Sequence, residues 1–506
     1  MDQKRSGAIL SYIQIFVNLI VGLLMTPILL GYLGKSEYGL YQIVGSFFSY
    51  VTLFESCTTA SVLRYYCYEK DKNHQEQMAN VLALSRIIFW IFSAVVAVIS
   101  FGCIIGFEYA FQTSLSDNEI AEAKFMIILM AVNFICTLLN TIYLAGITAY
   151  EKFVFLKLLL IVSKIFQPIV CVLILECFYP LAICIVIAQL ALNLIVVLTR
   201  YLYAIRRLKI KVELSGFDFV YVKKILFFAS TILLASIADQ VFWKTDQLIL
   251  GKLYNTGIVA VYSIGAQIFF IYMSFGVALS QLFFPQLSRL YHSNNGIYLV
   301  SELFIKVGRI SFQVLFLVLT TFYFFGREFI SLWVGDQYVL SYYVALIIMI
   351  PYTIDIIQNL GLSILQVMNR YSFRAKMFFV AAVLKIFITL YLADIYGCIG
   401  AAIATSVVIL SISGFVMNIY FKKQGMDVVK FWKNIISIII CLLPAIVCGG
   451  IVSWMFYPIA SWISFFSASA IYCLIYTANL YFIAMNDFEK GILNSILNKV
   501  GINRNC

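Results

Sequence analysis

The chain has 506 residues, 63% of them hydrophobic and only 12% charged, and its mean hydropathy is +0.97. So few polar side chains cannot cover the surface of a water-soluble domain, which excludes that class and leaves a membrane protein. The net charge of +11 does not indicate nucleic acid, because Lys and Arg sit in short connections on alternate turns of the chain instead of forming a phosphate-binding stripe.

Apolar runs of about 20 residues, the length that crosses a bilayer, recur at 8–30, 39–63, 81–107, 124–149, 154–176, 180–203, 225–250, 257–286, 303–326, 338–367, 376–394, 397–420, 435–457 and 460–484. They predict an all-α polytopic membrane protein of about fourteen transmembrane helices. The first run follows Lys4 and Arg5 and lacks a small-residue cleavage site, so it reads as a retained helix and not as a signal peptide. Odd-to-even connections hold few basic residues: Lys35, Lys124, Lys252 and Arg327. The alternate connections and the termini hold most of the rest, among them Lys70, Lys72, Lys152, the stretch from Arg200 to Lys224, Arg370, Arg374 and the stretch from Lys422 to Lys433. The positive-inside rule then places both termini in the cytoplasm and puts Glu108, Asp117, Glu119 and Glu122 outside.

A repeat runs through the chain. Residues 29–45 and 249–265 align with Gly31 on Gly251, Leu33 on Leu253 and Gly45 on Gly265, while Tyr150 to Phe155 aligns with Met368 to Phe373. Two matches at nearly one offset, spanning an even number of helices, predict two six-helix lobes related by a pseudo-two-fold axis along the membrane normal, followed by two additional helices. The expected divisions are 1–210 for the first lobe, 211–224 for an amphipathic linker on the inner leaflet, 225–421 for the second lobe, and 422–506 for the last two helices and a cytoplasmic tail.

The seventh run is the most polar. On a helix of 100° per residue, Asp239, Gln240, Trp243, Lys244, Asp246 and Gln247 share one half of the circumference, leaving Val241, Thr245, Leu248 and Ile249 opposite. A charge near the bilayer centre costs roughly 2.5 to 3.5 kcal/mol on insertion scales, so such a side faces protein or water and marks a substrate or ion path. Other intramembrane polar residues are Gln14 and Asn18 in the first run, Glu55 and Arg64 in the second, Lys164 in the fifth, Asp355 in the tenth and Lys385 in the eleventh. Arg64, Lys164, Lys244 and Lys385, with Gln14 and Asn18, are the expected lining of a positive cavity suited to phosphate or carboxylate; Asp239, Asp246, Asp355 and Glu55 are the expected coupling or gating groups. Lys164 and Lys385 both lie near the middle of the fifth run of their lobes, which suggests a charge kept in both copies.

Enzymatic motifs are missing: there is no G-x-S-x-G, no G-x-x-x-x-G-K-[ST] and no H-E-x-x-H. The two histidines, His74 and His292, lie in polar connections, and the 12 cysteines occur without any C-x-x-C pair. Neither a metal site nor a disulfide framework is expected, no cofactor is implied, and energy would come from an H+ or Na+ gradient, the membrane potential or downhill flux.

The first-loop pattern from Pro27 to Tyr41, with Gly31, Gly34, Glu37 and Gly39, and the seventh helix ending Asp246-Gln-Leu-Ile-Leu-Gly251 with Tyr262 beyond it, resemble the polysaccharide-biosynthesis membrane proteins. These are O-antigen or capsule repeat-unit flippases of the multidrug, oligosaccharidyl-lipid and polysaccharide exporter superfamily. The resemblance implies a flippase that carries undecaprenyl-diphosphate-linked oligosaccharide across the bacterial inner membrane by alternating access, with basic side chains binding the diphosphate. Arg64 is similar in position to the family's arginine near the inner end of the second helix, and Asp246 to its seventh-helix aspartate; Gln247 stands where members often have a basic residue. Peptidoglycan-precursor flippases of the superfamily carry arginines inside the first helix, whereas this chain has no charge between Arg5 and Lys35. Expected partners are the lipid-linked oligosaccharide, the bilayer, and polymerase and chain-length machinery. The alternative is a cation-coupled multidrug exporter on the same fold, in which Asp239, Asp246 and Asp355 would take the coupling ion.

Overall fold

The computed structural model describes residues 3–491 apart from 73, 217–218 and 294. Sixteen α-helices follow one another: α1 (Gln3–Ser49), α2 (Leu53–Asp71), α3 (Gln75–Phe111), α4 (Asp117–Ala149), α5 (Phe153–Cys177), α6 (Ala182–Leu202), α7 (Phe219–Leu253), α8 (Thr256–Leu282), α9 (Phe284–Tyr291), α10 (Gly296–Val334), α11 (Leu340–Ile357), α12 (Asn359–Val367), α13 (Ser372–Ile409), α14 (Met417–Lys423), α15 (Val428–Phe456) and α16 (Trp462–Asn479). No strand occurs among the described residues, and eleven helical stretches are long and apolar enough to cross a membrane. The protein is a multi-pass membrane protein. Among the described residues, the eleven stretches include neither α2 nor α7.

Several run boundaries are corrected. The second run, 39–63, is cut by a turn at 50–52 and divided between α1 and α2. Within α1 the axis breaks at Gly34, whose φ of 72° and ψ of −172° suit a residue without Cβ. The eleventh run and the first part of the twelfth share one helix, α13, with a second such break at Gly397. The tenth run is interrupted at Gln358 between α11 and α12. The expected amphipathic stretch 211–224 has no helix over 209–216 and enters α7 from Phe219.

Internal packing divides the chain into two compact units, Met1–Ala260 and Val261–Cys506. In the first, α1 packs on α5, α4 on α3 and α6, and α2 on α4 and α7. In the second, α10 packs on α11, α15 and α16, and α11 on α13. Lipid tails are as apolar as leucine, so close approach and polar bonds hold such helices together more than water expulsion does. Accordingly Ala401, Ala402, Ala404 and Thr405 lie buried on α13, while Phe101, Phe166, Phe387 and Trp454 point outward.

The repeat is visible in the backbone. At Tyr150 to Lys152, Glu151 takes a left-handed φ of 56° and the Lys152 amide donates to the carbonyl of Ile147. Farther along by 218 positions, Asn369 takes a φ of 57° and the Arg370 amide donates to Leu365. Phe155 then stacks on Tyr203 at 3.8 Å, as Phe373 stacks on Tyr420 at 3.9 Å. The same helix stop and the same aromatic clamp recur in each copy.

Candidate functional site

The polar end of α7 packs against α1 and α2. Asp246 and Gln247 are buried; Ser46 Oγ donates to Gln247 Oε1, and Tyr50 and Thr245 share a hydroxyl hydrogen bond of 2.8 Å. Asp239 lies at almost the same angle around α7 as Asp246 but two turns earlier, and it is exposed. Burial therefore changes along the axis instead of around it. Ile249 and Leu250, near the face expected to be apolar, are also buried, so this end of α7 is enclosed on both sides. Lys244 is half-buried.

A second polar array runs along the seam between α1 and α5. Gly7 sits against Phe153, Lys157 Nζ donates to Gln14 Oε1 at 3.0 Å, and Tyr32 donates to Glu176 Oε1 at 2.8 Å. Residue numbers rise together on both helices, so the two run parallel. From Gln14 to Tyr32 the seam extends roughly 27 Å at 1.5 Å per residue, close to the hydrocarbon thickness. Lys164 is seven residues beyond Lys157 and on the same face of α5, where its Nζ donates to Gln167 Oε1 at 2.8 Å. Asn18, one turn beyond Gln14, is exposed. Among the described residues both lysines have amide partners and no carboxylate, and an amide orients an ammonium without cancelling its charge.

In the second unit, Asp355 on α11 accepts from Ser413 and lies 3.9 Å from the Arg374 guanidinium of α13. Gln358, at the α11–α12 break, is buried, and neither of its amide atoms hydrogen-bonds a described residue. Lys385 on α13 is 1% exposed. Arg64 on α2 of the first unit is exposed, and the side chain of Glu55 lies outside the described residues.

The structure thus joins Gln14 to a cation on α5, Gln247 to Ser46 of α1 beside the buried Asp246, and Asp355 to Arg374. Two groups escape the sequence reading. Lys157 was legible as the same-face predecessor of Lys164 but lies near the start of its run. Arg309, inside the ninth run, is buried on α10 with Glu489: Nε donates to Glu489 Oε1 at 2.6 Å, and Nη1 donates to Asn434 at 2.9 Å. The rule that flags intramembrane charge applies to it equally. No group of three or more His, Cys, Asp or Glu suited to a metal ion occurs among the described residues.

Residues 28–343 match the family described as polysaccharide biosynthesis protein. Among solved structures, the fold is similar to the lipid II flippase MurJ in an inward closed conformation, at 14% identity and a TM-score of 0.72 over 94% of this chain and 99% of that one. It is also similar to a multidrug resistance MATE family transporter of the MOP superfamily, inward-facing at 10% identity, TM-score 0.64, over 83% of this chain and 96% of that one. An outward-facing MATE family transporter aligns at 11% identity with a TM-score of 0.54, over 85% of this chain and 97% of that one. No curated protein matches the sequence.

Proposed function

Since the chain belongs to the polysaccharide biosynthesis protein family, we propose that it is a flippase for undecaprenyl-diphosphate-linked oligosaccharide repeat units of O-antigen, capsule or exopolysaccharide, working by alternating access in the bacterial inner membrane with both termini cytoplasmic. The observation that carries this reading is the α1–α5 seam. It sets two lysines with amide partners along helices that cross the bilayer. A lipid-linked sugar diphosphate has a multiply charged centre that cannot cross hydrocarbon unaided, and a prenyl chain that can stay in it. Cations whose charge is not already cancelled, placed at membrane depth, meet the first need and leave the second to the lipid. Arg64 and Lys244 are proposed as further phosphate or sugar contacts, Asp239, Asp246 and Glu55 as coupling or gating groups using H+ or Na+, and polymerase and chain-length machinery as the receivers of the product.

The multidrug-exporter alternative needs carboxylates available to a proton or a cation. Asp355 already shares Ser413 and Arg374, which weighs against it in that role. The test is complementation of a flippase-null strain with Lys157, Lys164, Lys244 and Arg64 changed singly to Ala. Surface polysaccharide should fall for the seam lysines at unchanged protein abundance. Full polysaccharide from every variant would remove the cation mechanism, and drug efflux improved by Lys244→Ala would favour the exporter.

A further inference from the structure

At the junction of α3 and α4 a cavity of about 560 Å³ is lined by Ile104, Glu108, Gln112, Asp117, Lys124 and Phe125 among others. Its volume lies in the range of small-ligand sites. The rim is charged: Lys124 Nζ meets Glu108 Oε2 at 2.7 Å across the two helices, with Lys124 31% and Glu108 55% exposed, so both keep further hydrogen-bonding capacity toward an outside molecule. Asp117, at the start of α4, adds a second carboxylate. Directly along the same two helices, Phe101 and Ile105 of α3 and Phe125, Ile128 and Val132 of α4 expose their side chains. Polar head above, apolar track below is the profile of a membrane interface, and here it is concave.

We propose that this groove binds a zwitterionic aminophospholipid of the surrounding bilayer, with the ammonium taken by Glu108 and Asp117, the phosphate by Lys124, and the acyl chains lying against Phe101, Phe125 and Val132. Charge complementarity selects the occupant. Two carboxylates against one ammonium leave the rim net negative, which disfavours an anionic glycerophospholipid and, more strongly, a prenyl diphosphate. An ammonium two methylenes away from a phosphodiester answers both signs at once. The site is distinct from the α1–α5 seam, and the inference does not depend on what the protein transports.

The full-length protein is reconstituted in nanodiscs of equal phosphatidylethanolamine and phosphatidylglycerol, and retained lipid is measured by native mass spectrometry. The wild type should retain phosphatidylethanolamine in preference, and the Glu108→Gln, Asp117→Asn double variant should lose that preference by roughly five- to thirtyfold, the size of one to two interfacial charge contacts. Equal retention of both lipids by the wild type, a preference for phosphatidylglycerol, or an unchanged preference in the double variant would each overturn the proposal. A measurement on the unaltered chain covers the case in which the variant does not fold: phosphatidylethanolamine with a photoactivatable headgroup should label peptides within 104–128. Labelling confined to other peptides, or equal labelling of this segment by an undecaprenyl diphosphate probe, refutes it.

Discussion

Replacing Glu489 with Ala removes the carboxylate that Arg309 Nε meets at 2.6 Å and Nη2 at 3.2 Å, and that Gln313 Nε2 meets at 2.9 Å. What remains around the buried guanidinium is Asn434 Oδ1 at 2.9 Å and the Ala484 carbonyl at 3.2 Å, dipoles without charge. Stranding one member of a buried ion pair typically costs about 3 to 5 kcal/mol. At ~2 to 4 °C per kcal/mol for a unit of this size, the apparent melting temperature should drop by roughly 6 to 20 °C. The double change Arg309→Met with Glu489→Leu removes both charges and leaves only neutral groups without partners: Gln313 Nε2 and the Asn486 amide lose their acceptor, Asn434 Oδ1 and the Ala484 carbonyl their donor. Asn434 and Asn486 are not buried and can turn to water, and a neutral group left unpaired in the interior costs about 1 to 3 kcal/mol. The double variant should therefore be more stable than either single one, which is the signature of a coupled pair. Fluorescence-detected size-exclusion chromatography after heating in detergent reads the order directly and tolerates irreversible unfolding. If the double variant melts at or below the sum of the two single losses, the ionic network does not hold the chain end to α10 and the reasoning fails.

Other outcomes follow from the same geometry. Lys164→Gln should lower surface polysaccharide by roughly ten- to a hundredfold without changing abundance, since a charge-assisted hydrogen bond contributes about 1.5 to 3 kcal/mol; Lys157→Gln should do the same, and immunoblots against polysaccharide and protein separate the two readouts. Gly34→Ala forces a Cβ onto a φ of 72° and should cost about 1 to 3 kcal/mol, seen as a lower melting temperature, although no heavy atom lies within 4 Å of the added Cβ. Phe155→Ala and Phe373→Ala remove equivalent aromatic clamps and should reduce stability by amounts within about 1 kcal/mol of each other; one large and one negligible effect would argue against equivalent roles.

The helices were legible because apolar runs of bilayer length are the strongest signal a chain can carry, and the repeat because glycine and aromatic positions recur at one offset. Boundaries failed where a single residue decides them. Gly34, Gln358 and Gly397 look ordinary in a hydropathy scan, yet each ends or bends a helix. On α7 the helical wheel placed Asp239 and Asp246 side by side, because a wheel carries angle and no depth. One is exposed and the other buried. Gln14 stands out in the sequence by its polarity, but its partner Lys157 follows only from α1 and α5 running parallel in contact.

The register of the repeat separates two lysines that composition pairs. Carried along the continuous helices α5 and α13 from Phe155 and Phe373, the 218-residue offset puts Lys164 on Ala382 and Gln167 on Lys385. The charge is therefore not one conserved position in two copies. It sits three residues apart, on neighbouring positions of one helix face. Burial differs with it, half-buried for Lys164 and 1% exposed for Lys385. An ammonium at the first site can still meet a mobile anion, whereas one at the second is enclosed by its own unit and takes part in its packing. Lys385→Met should consequently reduce the amount of folded protein in the membrane, while Lys164→Met should leave that amount intact and reduce polysaccharide per molecule. Quantifying both variants by fluorescence size-exclusion and by surface polysaccharide decides the matter. A Lys385→Met protein that folds at wild-type yield but cannot support polysaccharide export would place Lys385 in the transport path after all, and would return the two lysines to a common role despite their different registers.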